Sequence, residues 1–204
     1  MIRLLAAFAL GLVLMAAPVA RAAELLEEPQ VGDNGLHAQS WFVNSFLDLG
    51  EDLAEAKAAG KGLVVIFEQA GCPYCREMHQ VNFRRADIVD LVRANFNVVQ
   101  IDLRGSRSVT DMDGEAMEER ALARKWGVAF TPTLMFFAKD ADPAGKPGNQ
   151  AVAAVMPGYF KPFHFASMFD YVASDSYRHA HFQDYIVERR ERLRAAGQDV
   201  TLWE

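Results

Sequence analysis

The chain has 204 residues, 51% of them hydrophobic and 24% charged, with a formal net charge of −6. An acidic chain without a long basic stretch argues against a nucleic-acid partner, because that affinity rests on neutralising phosphates. Its only two cysteines sit in Cys72-Pro73-Tyr74-Cys75, and so short a bridge restrains too little unfolded chain for a disulfide-stapled scaffold.

In chain order, Met1-Ile2-Arg3 puts a positive charge ahead of an almost unbroken apolar run over residues 4–17, which ends at Pro18. With small residues at Ala20 and Ala22, that order predicts a signal peptide over residues 1–22, cleaved after Ala22. An uncleaved N-terminal anchor is the competing reading, the run being close to the shortest span of a bilayer. Cleavage removes Arg3 and Arg21 and no acid, moving the formal charge from −6 to −8. About 180 residues remain, which fits one domain with extensions.

Residues 23–40 are rich in Glu, Gly and Asn with little periodicity and read as a poorly ordered lead-in. A helix is expected over 51–59, ended by Gly60-Lys61-Gly62. Residues 63–67 form a continuous apolar, β-branched run, the pattern of a strand buried on both faces. Beyond the cysteine pair, 77–95 reads as a helix bent near residues 85–87, and 97–103 as a second buried strand. The polar segment 104–114 is expected to be a surface loop and 115–126 a helix stopped by Gly127. Strands at 133–138 and 151–156 are joined by a turn-rich link, too short for a helical crossover and suited to an antiparallel hairpin. Helices are expected at 163–173 and 179–196, the latter with alternating charges that suit an exposed face or a partner.

Two parallel strands followed by a hairpin predict an α/β domain whose central mixed sheet is flanked by helices. That is the arrangement of the thioredoxin fold, here with N-terminal and C-terminal helical extensions. Phe67, Val99, Ile101, Leu134, Phe136, Phe137, Val152 and Val155 are the expected core. The aromatic residues Tyr159, Phe160, Phe163, Phe165 and Phe169 read as further core rather than as a ligand box.

The chemistry points to Cys72 and Cys75. Cys72 falls where a buried strand turns into a helix, and free amides with the helix dipole favour a thiolate there. Pro73 suits the first helical position because it lacks an amide hydrogen. Cys75, one turn further in, is expected to be less exposed, so that Cys72 attacks a disulfide and Cys75 resolves the mixed disulfide. The rival is a copper or zinc site made by Cys72, Cys75 and His79, which lacks a fourth ligand. Haem attachment is excluded because residue 76 is Arg. By itself His79 reads as a surface or helix-packing residue. The stretch Asp111-Met112-Asp113-Gly114-Glu115 has only a faint likeness to a calcium loop, and a solvated loop is the better reading. Pro132, in Phe130-Thr131-Pro132-Thr133, stands at a strand entrance and gains meaning from the upstream cysteine pair.

Over residues 61–172 the sequence resembles the thioredoxin superfamily. The matching pieces are the apolar strand before the cysteine pair, Lys125-Trp126-Gly127-Val128, Thr131-Pro132-Thr133 with its strand, and Gly158. The resemblance implies a thioredoxin-like domain over 41–175 and a C-terminal helical extension over 176–204. It also implies a cis proline at Pro132 facing the cysteines, Thr131 offering its backbone to the partner's chain, and no cofactor beyond a redox-active Cys72–Cys75 disulfide. The segments 67–75 and 156–162 resemble the periplasmic thioredoxins of bacterial sulfur-oxidation gene clusters, the SoxW type. That likeness implies a periplasmic location, electrons from a membrane thiol transporter of the DsbD or CcdA kind, and exported protein disulfides as substrates, sulfur-carrier proteins among them.

Two departures stand out. The family's tryptophan before the first cysteine is Gly71 here, and Pro73-Tyr74 replace the usual Gly-Pro. The family's buried aspartate is Ile66, so the usual proton acceptor is missing and Glu68 is the candidate substitute. An oxidase or isomerase of the same fold stays open on sequence alone, whereas a glutathione-dependent enzyme is disfavoured by the expected periplasmic location.

Overall fold

The computed structural model describes residues 24–198 and residue 200. The expected signal peptide lies outside the described residues. The lead-in carries two short strands, β1 (Gln30–Val31) and β2 (His37–Ala38), followed by helix α1 (Leu49–Ala58). Then come β3 (Gly62–Glu68), α2 (Pro73–Glu77), a π-helical turn (Met78–Asn82), α3 (Ala86–Asn95) and β4 (Phe96–Asp102). A small pair, β5 (Ser108–Thr110) and β6 (Ala116–Glu118), leads into α4 (Glu119–Lys125). The chain continues with β7 (Thr133–Phe137), β8 (Ala154–Pro157), α5 (Pro162–Ala173) and α6 (Phe182–Ala195).

The central sheet has the order β4-β3-β7-β8. β3 runs parallel to β4 and antiparallel to β7, which pairs antiparallel with β8. This is the mixed α/β sheet expected from the element order. Alternation along β3 divides the core between the sheet's two faces. Val64 and Ile66 face Phe83, Ile88, Val92, Phe165 and Phe169, from the α3 and α5 side. Leu63, Val65 and Phe67 face Leu53, Ala56, Leu122 and Trp126, from the α1 and α4 side. Every residue of β3 is buried, as its unbroken apolar run requires.

Several local expectations are corrected. The helix expected over 77–95 is bent where expected, near 85–87, but as a full break: a π turn continues α2, and α3 starts after Arg85, whose backbone is extended. The lead-in bonds into that break, Leu26 N–H to the Arg84 carbonyl and Ala86 N–H to the Glu24 carbonyl. Far from lacking order, the lead-in turns back on itself and buries Leu36.

Segment 104–118 forms the β5–β6 pair, and α4 begins at Glu119 rather than at residue 115. The buried Glu119 carboxylate holds this segment by accepting from Asp102 N–H and from the Arg107 backbone and guanidinium. The acidic stretch 111–115 carries its own cation: Lys125 Nζ lies 2.7 Å from Asp111, 2.7 Å from Asp113 and 2.8 Å from Glu115. Val155 is not core: it lies on the edge strand β8 and is 45% exposed, while Val152 precedes that strand and is half-buried. Of the aromatic residues expected in the core, Phe163, Phe165 and Phe169 are fully buried, and Tyr159 and Phe160 half-buried. α6 is held to α5 by Asp170, which accepts from Tyr185 Oη and Arg189 Nε.

Candidate active site

β3 ends at Glu68, and Gly71, with φ of 73°, turns the chain into α2. Cys72 is the N-cap of α2 and Pro73 its first residue. The Cys72 sulfur does what a serine or aspartate oxygen usually does at this position: it accepts the Cys75 N–H at 3.1 Å. Cys72 and Cys75 are joined by a disulfide, with Cα atoms 5.3 Å apart. Cys72 is 6% exposed and Cys75 1%.

Opposite the disulfide, the Thr131–Pro132 peptide bond is cis. Thr131 Oγ1 donates to Cys72 Sγ at 3.3 Å, and the Thr131 carbonyl lies 3.7 Å from the same sulfur. The Pro132 carbonyl accepts the Gly158 N–H, tying the proline loop to the end of β8. Tyr74 is 62% exposed and stacks on Tyr159 at 6.5 Å, with Phe130 also exposed nearby in sequence to Thr131. Burial, reinforced by the Glu77 carboxylate, pushes the Tyr159 hydroxyl up to about 12, so this ring stays neutral.

Glu68 and His79 are both fully buried, at 0% exposed, which sets aside a surface position for His79. His79 Nε2 is 2.9 Å from Glu68 Oε1, and Gln39 Nε2 is 3.1 Å from His79 Nδ1. Gln100 Nε2 donates to the same Glu68 oxygen at 3.2 Å, whereas Glu68 Oε2 has no hydrogen-bond partner. Both ring nitrogens of His79 are therefore engaged away from the cysteines, and the metal site imagined from Cys72, Cys75 and His79 is not assembled. Among the described residues, no group of three or more His, Cys, Asp or Glu side chains is placed to hold a metal ion.

Glu68 and Ile66 alternate onto the same face of β3. Glu68 thus stands two residues further along the face that carries an aspartate in the resembling family. His79 lies four residues after Cys75 in one continuous helical run, the spacing that puts side chains about 5–6 Å apart. The sequence signals that could have revealed this cluster were the alternation along β3 and the four-residue spacing. Gln39 and Gln100 carried no such signal.

The family described as the thioredoxin-like domain matches residues 49–173. A thioredoxin-fold protein from Helicobacter pylori is similar in structure, with a TM-score of 0.51 and 17% identity over 70% of this chain and 94% of that one. A thioredoxin from Thermus thermophilus gives a TM-score of 0.48 and 22% identity over 66% of this chain and 94% of that one. The C-terminal domain of Neisseria meningitidis DsbD gives 0.42 and 19% over 62% and 97%. At these identities the likeness concerns the fold alone. No curated protein matches the sequence.

Proposed function

The chain belongs to the thioredoxin-like domain family and has the paired-cysteine disulfide of a thiol-disulfide oxidoreductase; from that premise we propose that it is a periplasmic dithiol reductase of the SoxW type. In this reading the reduced Cys72 attacks a substrate disulfide, and one substrate sulfur leaves as a thiolate. Cys75 then loses its proton and attacks Cys72 Sγ, which closes the Cys72–Cys75 disulfide and releases the second substrate sulfur. Two electrons have moved from the dithiol to the substrate. A membrane thiol transporter of the DsbD or CcdA kind would restore them, and disulfides of exported proteins, sulfur carriers included, would consume them.

Cys72 at the N-cap of α2 is the observation that carries the reading. The Cys75 amide, already 3.1 Å from its sulfur, and the Thr131 hydroxyl, 3.3 Å away, are donors that stabilise a thiolate better than a neutral thiol. Glu68 takes the place of the missing aspartate: its free Oε2 is the acceptor for the Cys75 proton. Thr131 and Pro132 bound the surface on which the substrate chain lies, with Tyr74 at its rim.

Reduction of a model protein disulfide by the dithiol form tests the activity, with Cys72→Ser and Cys75→Ser expected to abolish turnover. An equilibrium potential near that of thioredoxin, about −270 mV, is expected for a reductase. Wild-type rates in both serine variants would refute the enzyme, and a potential near about −120 mV would turn the direction towards oxidation.

A further inference from the structure

The lead-in precedes the family match at residues 49–173, yet it bonds to the residues that hold the buried Glu68. Gly35, in its turn, packs so closely on Ala70, two residues before Cys72, that an added Cβ would stand 2.9 Å from the alanine's own. Gln100 Nε2 of β4 donates both to the His37 carbonyl, at 2.7 Å, and to Glu68. The His37 ring stacks on His79, with centroids 5.6 Å apart and planes 28° from parallel. Gln39 completes the set through His79 Nδ1.

The chemistry of these groups fixes a proton. An amide NH₂ only donates, so the Gln39 contact leaves Nδ1 of His79 as an acceptor. The ring proton is then on Nε2 and is donated to Glu68 Oε1. With the opposite tautomer, Nε2 would present a lone pair to the carboxylate. Only a protonated Glu68 could answer it, and a protonated carboxyl is no longer a base.

We propose that Gln39 and His37 are positioning residues of the redox centre, holding His79 as its Nε2–H tautomer so that Glu68 Oε1 is occupied and Oε2 remains free for the Cys75 proton. The inference rests on Glu68 being the proton acceptor. In the step concerned, Cys75 Sγ–H gives its proton to Glu68 Oε2 and its sulfur attacks Cys72 Sγ. The bond from Cys72 to the substrate breaks, its electron pair leaves on the substrate sulfur, and the disulfide closes. The first attack, by Cys72 on the substrate, does not use this proton.

That difference supplies the test. Single-turnover kinetics with a chromogenic aromatic disulfide separate formation of the mixed disulfide from its resolution. Gln39→Leu is expected to slow resolution roughly tenfold, part of the 10²–10⁴-fold a positioned base contributes, and to leave formation unchanged. Gln39→Glu, which places an acceptor against Nδ1, is expected to slow the same step. In the wild-type protein, ¹⁵N spectra of the His79 ring should show the proton on Nε2, an observation that needs no variant. A proton on Nδ1, an unchanged resolution rate in both variants, or equal slowing of both steps would overturn the proposal. Glu68→Gln run alongside separates the two levels. If it slows resolution while the Gln39 variants do not, only the positioning role fails; if it has no effect, the acceptor assignment fails first.

Discussion

The Cys72 sulfur caps α2, and in the proposed enzyme the same sulfur is the attacking atom, which would tie the local stability of α2 to its redox state. A cap typically contributes about 1 kcal/mol, so the amide proposed to stabilise the thiolate also anchors the start of the helix. Another buried polar residue is Asp52, on α1, which accepts from Ser45 Oγ at 2.7 Å. Burial raises its carboxyl above the ordinary value. The Ser45 hydrogen bond opposes that rise, and the carboxylates of Glu55, Asp48 and Glu51 add to it. A raised value in the folded state means that folding favours the protonated acid. The stability it brings is complete below the ordinary carboxylate pKa of roughly 4 and is lost as the pH rises through the folded value. Asp52→Asn should therefore raise the melting temperature at pH 7, with the gain vanishing below about pH 4. Thermal scans at several pH values check this, and a variant less stable than wild type at pH 7 would contradict it.

Among elements, the β5–β6 pair joins the core through Val109 and is also held by charge. Burial works against the Lys125 ammonium, but its hydrogen bonds to Asp111, Asp113 and Glu115 outweigh that and hold its pKa above the ordinary lysine range. In turn the Lys125 hydrogen bond holds Asp113 below its usual carboxylate value. Lys125→Met would leave the fully buried Asp111 carboxylate without its cation, at a cost of about 3 kcal/mol. Urea unfolding should show that loss, together with faster amide exchange over 108–118; an unchanged midpoint would show that the clamp contributes nothing. The same dependence explains what could be read in advance. β3 and β7 were legible because continuous apolar runs leave a strand few alternatives, and β4 because Val98, Val99 and Ile101 mark a buried strand. Segment 104–118 was not, because its order comes from Lys125 and the buried Glu119, contacts made across the fold. The interruption at Arg85 was legible only as a bend near 85–87: the full break is stabilised by backbone bonds to Glu24 and Leu26, from a segment whose composition read as poorly ordered.

On the scale of the whole molecule, the element order was enough to give the mixed sheet, since two parallel strands and a hairpin have few ways to share one layer. The candidate site was half legible. Cys72, Cys75 and Pro132 lie within motifs, whereas Gln100 and His79 meet Glu68, and Gln39 meets His79, only when lead-in, β4, helix and β3 converge. We propose export with cleavage after Ala22, on the charge, apolar run and small residues at the N-terminus. N-terminal sequencing of protein recovered from the periplasm should begin at Ala23, and a recovered chain that begins at Met1 would refute cleavage. That lead-in would then start one residue before the segment that bonds into the Arg85 break.

The most direct measurement is mass spectrometry of complexes formed with a disulfide-containing protein substrate. With Cys75→Ala, a mixed disulfide through Cys72 should accumulate, because the first sulfur can attack and nothing follows to release the product. With Cys72→Ala, no such complex should form. Equal trapping through Cys75 in the second variant, or no covalent complex in either, would contradict the assignment of Cys72 as the attacking sulfur.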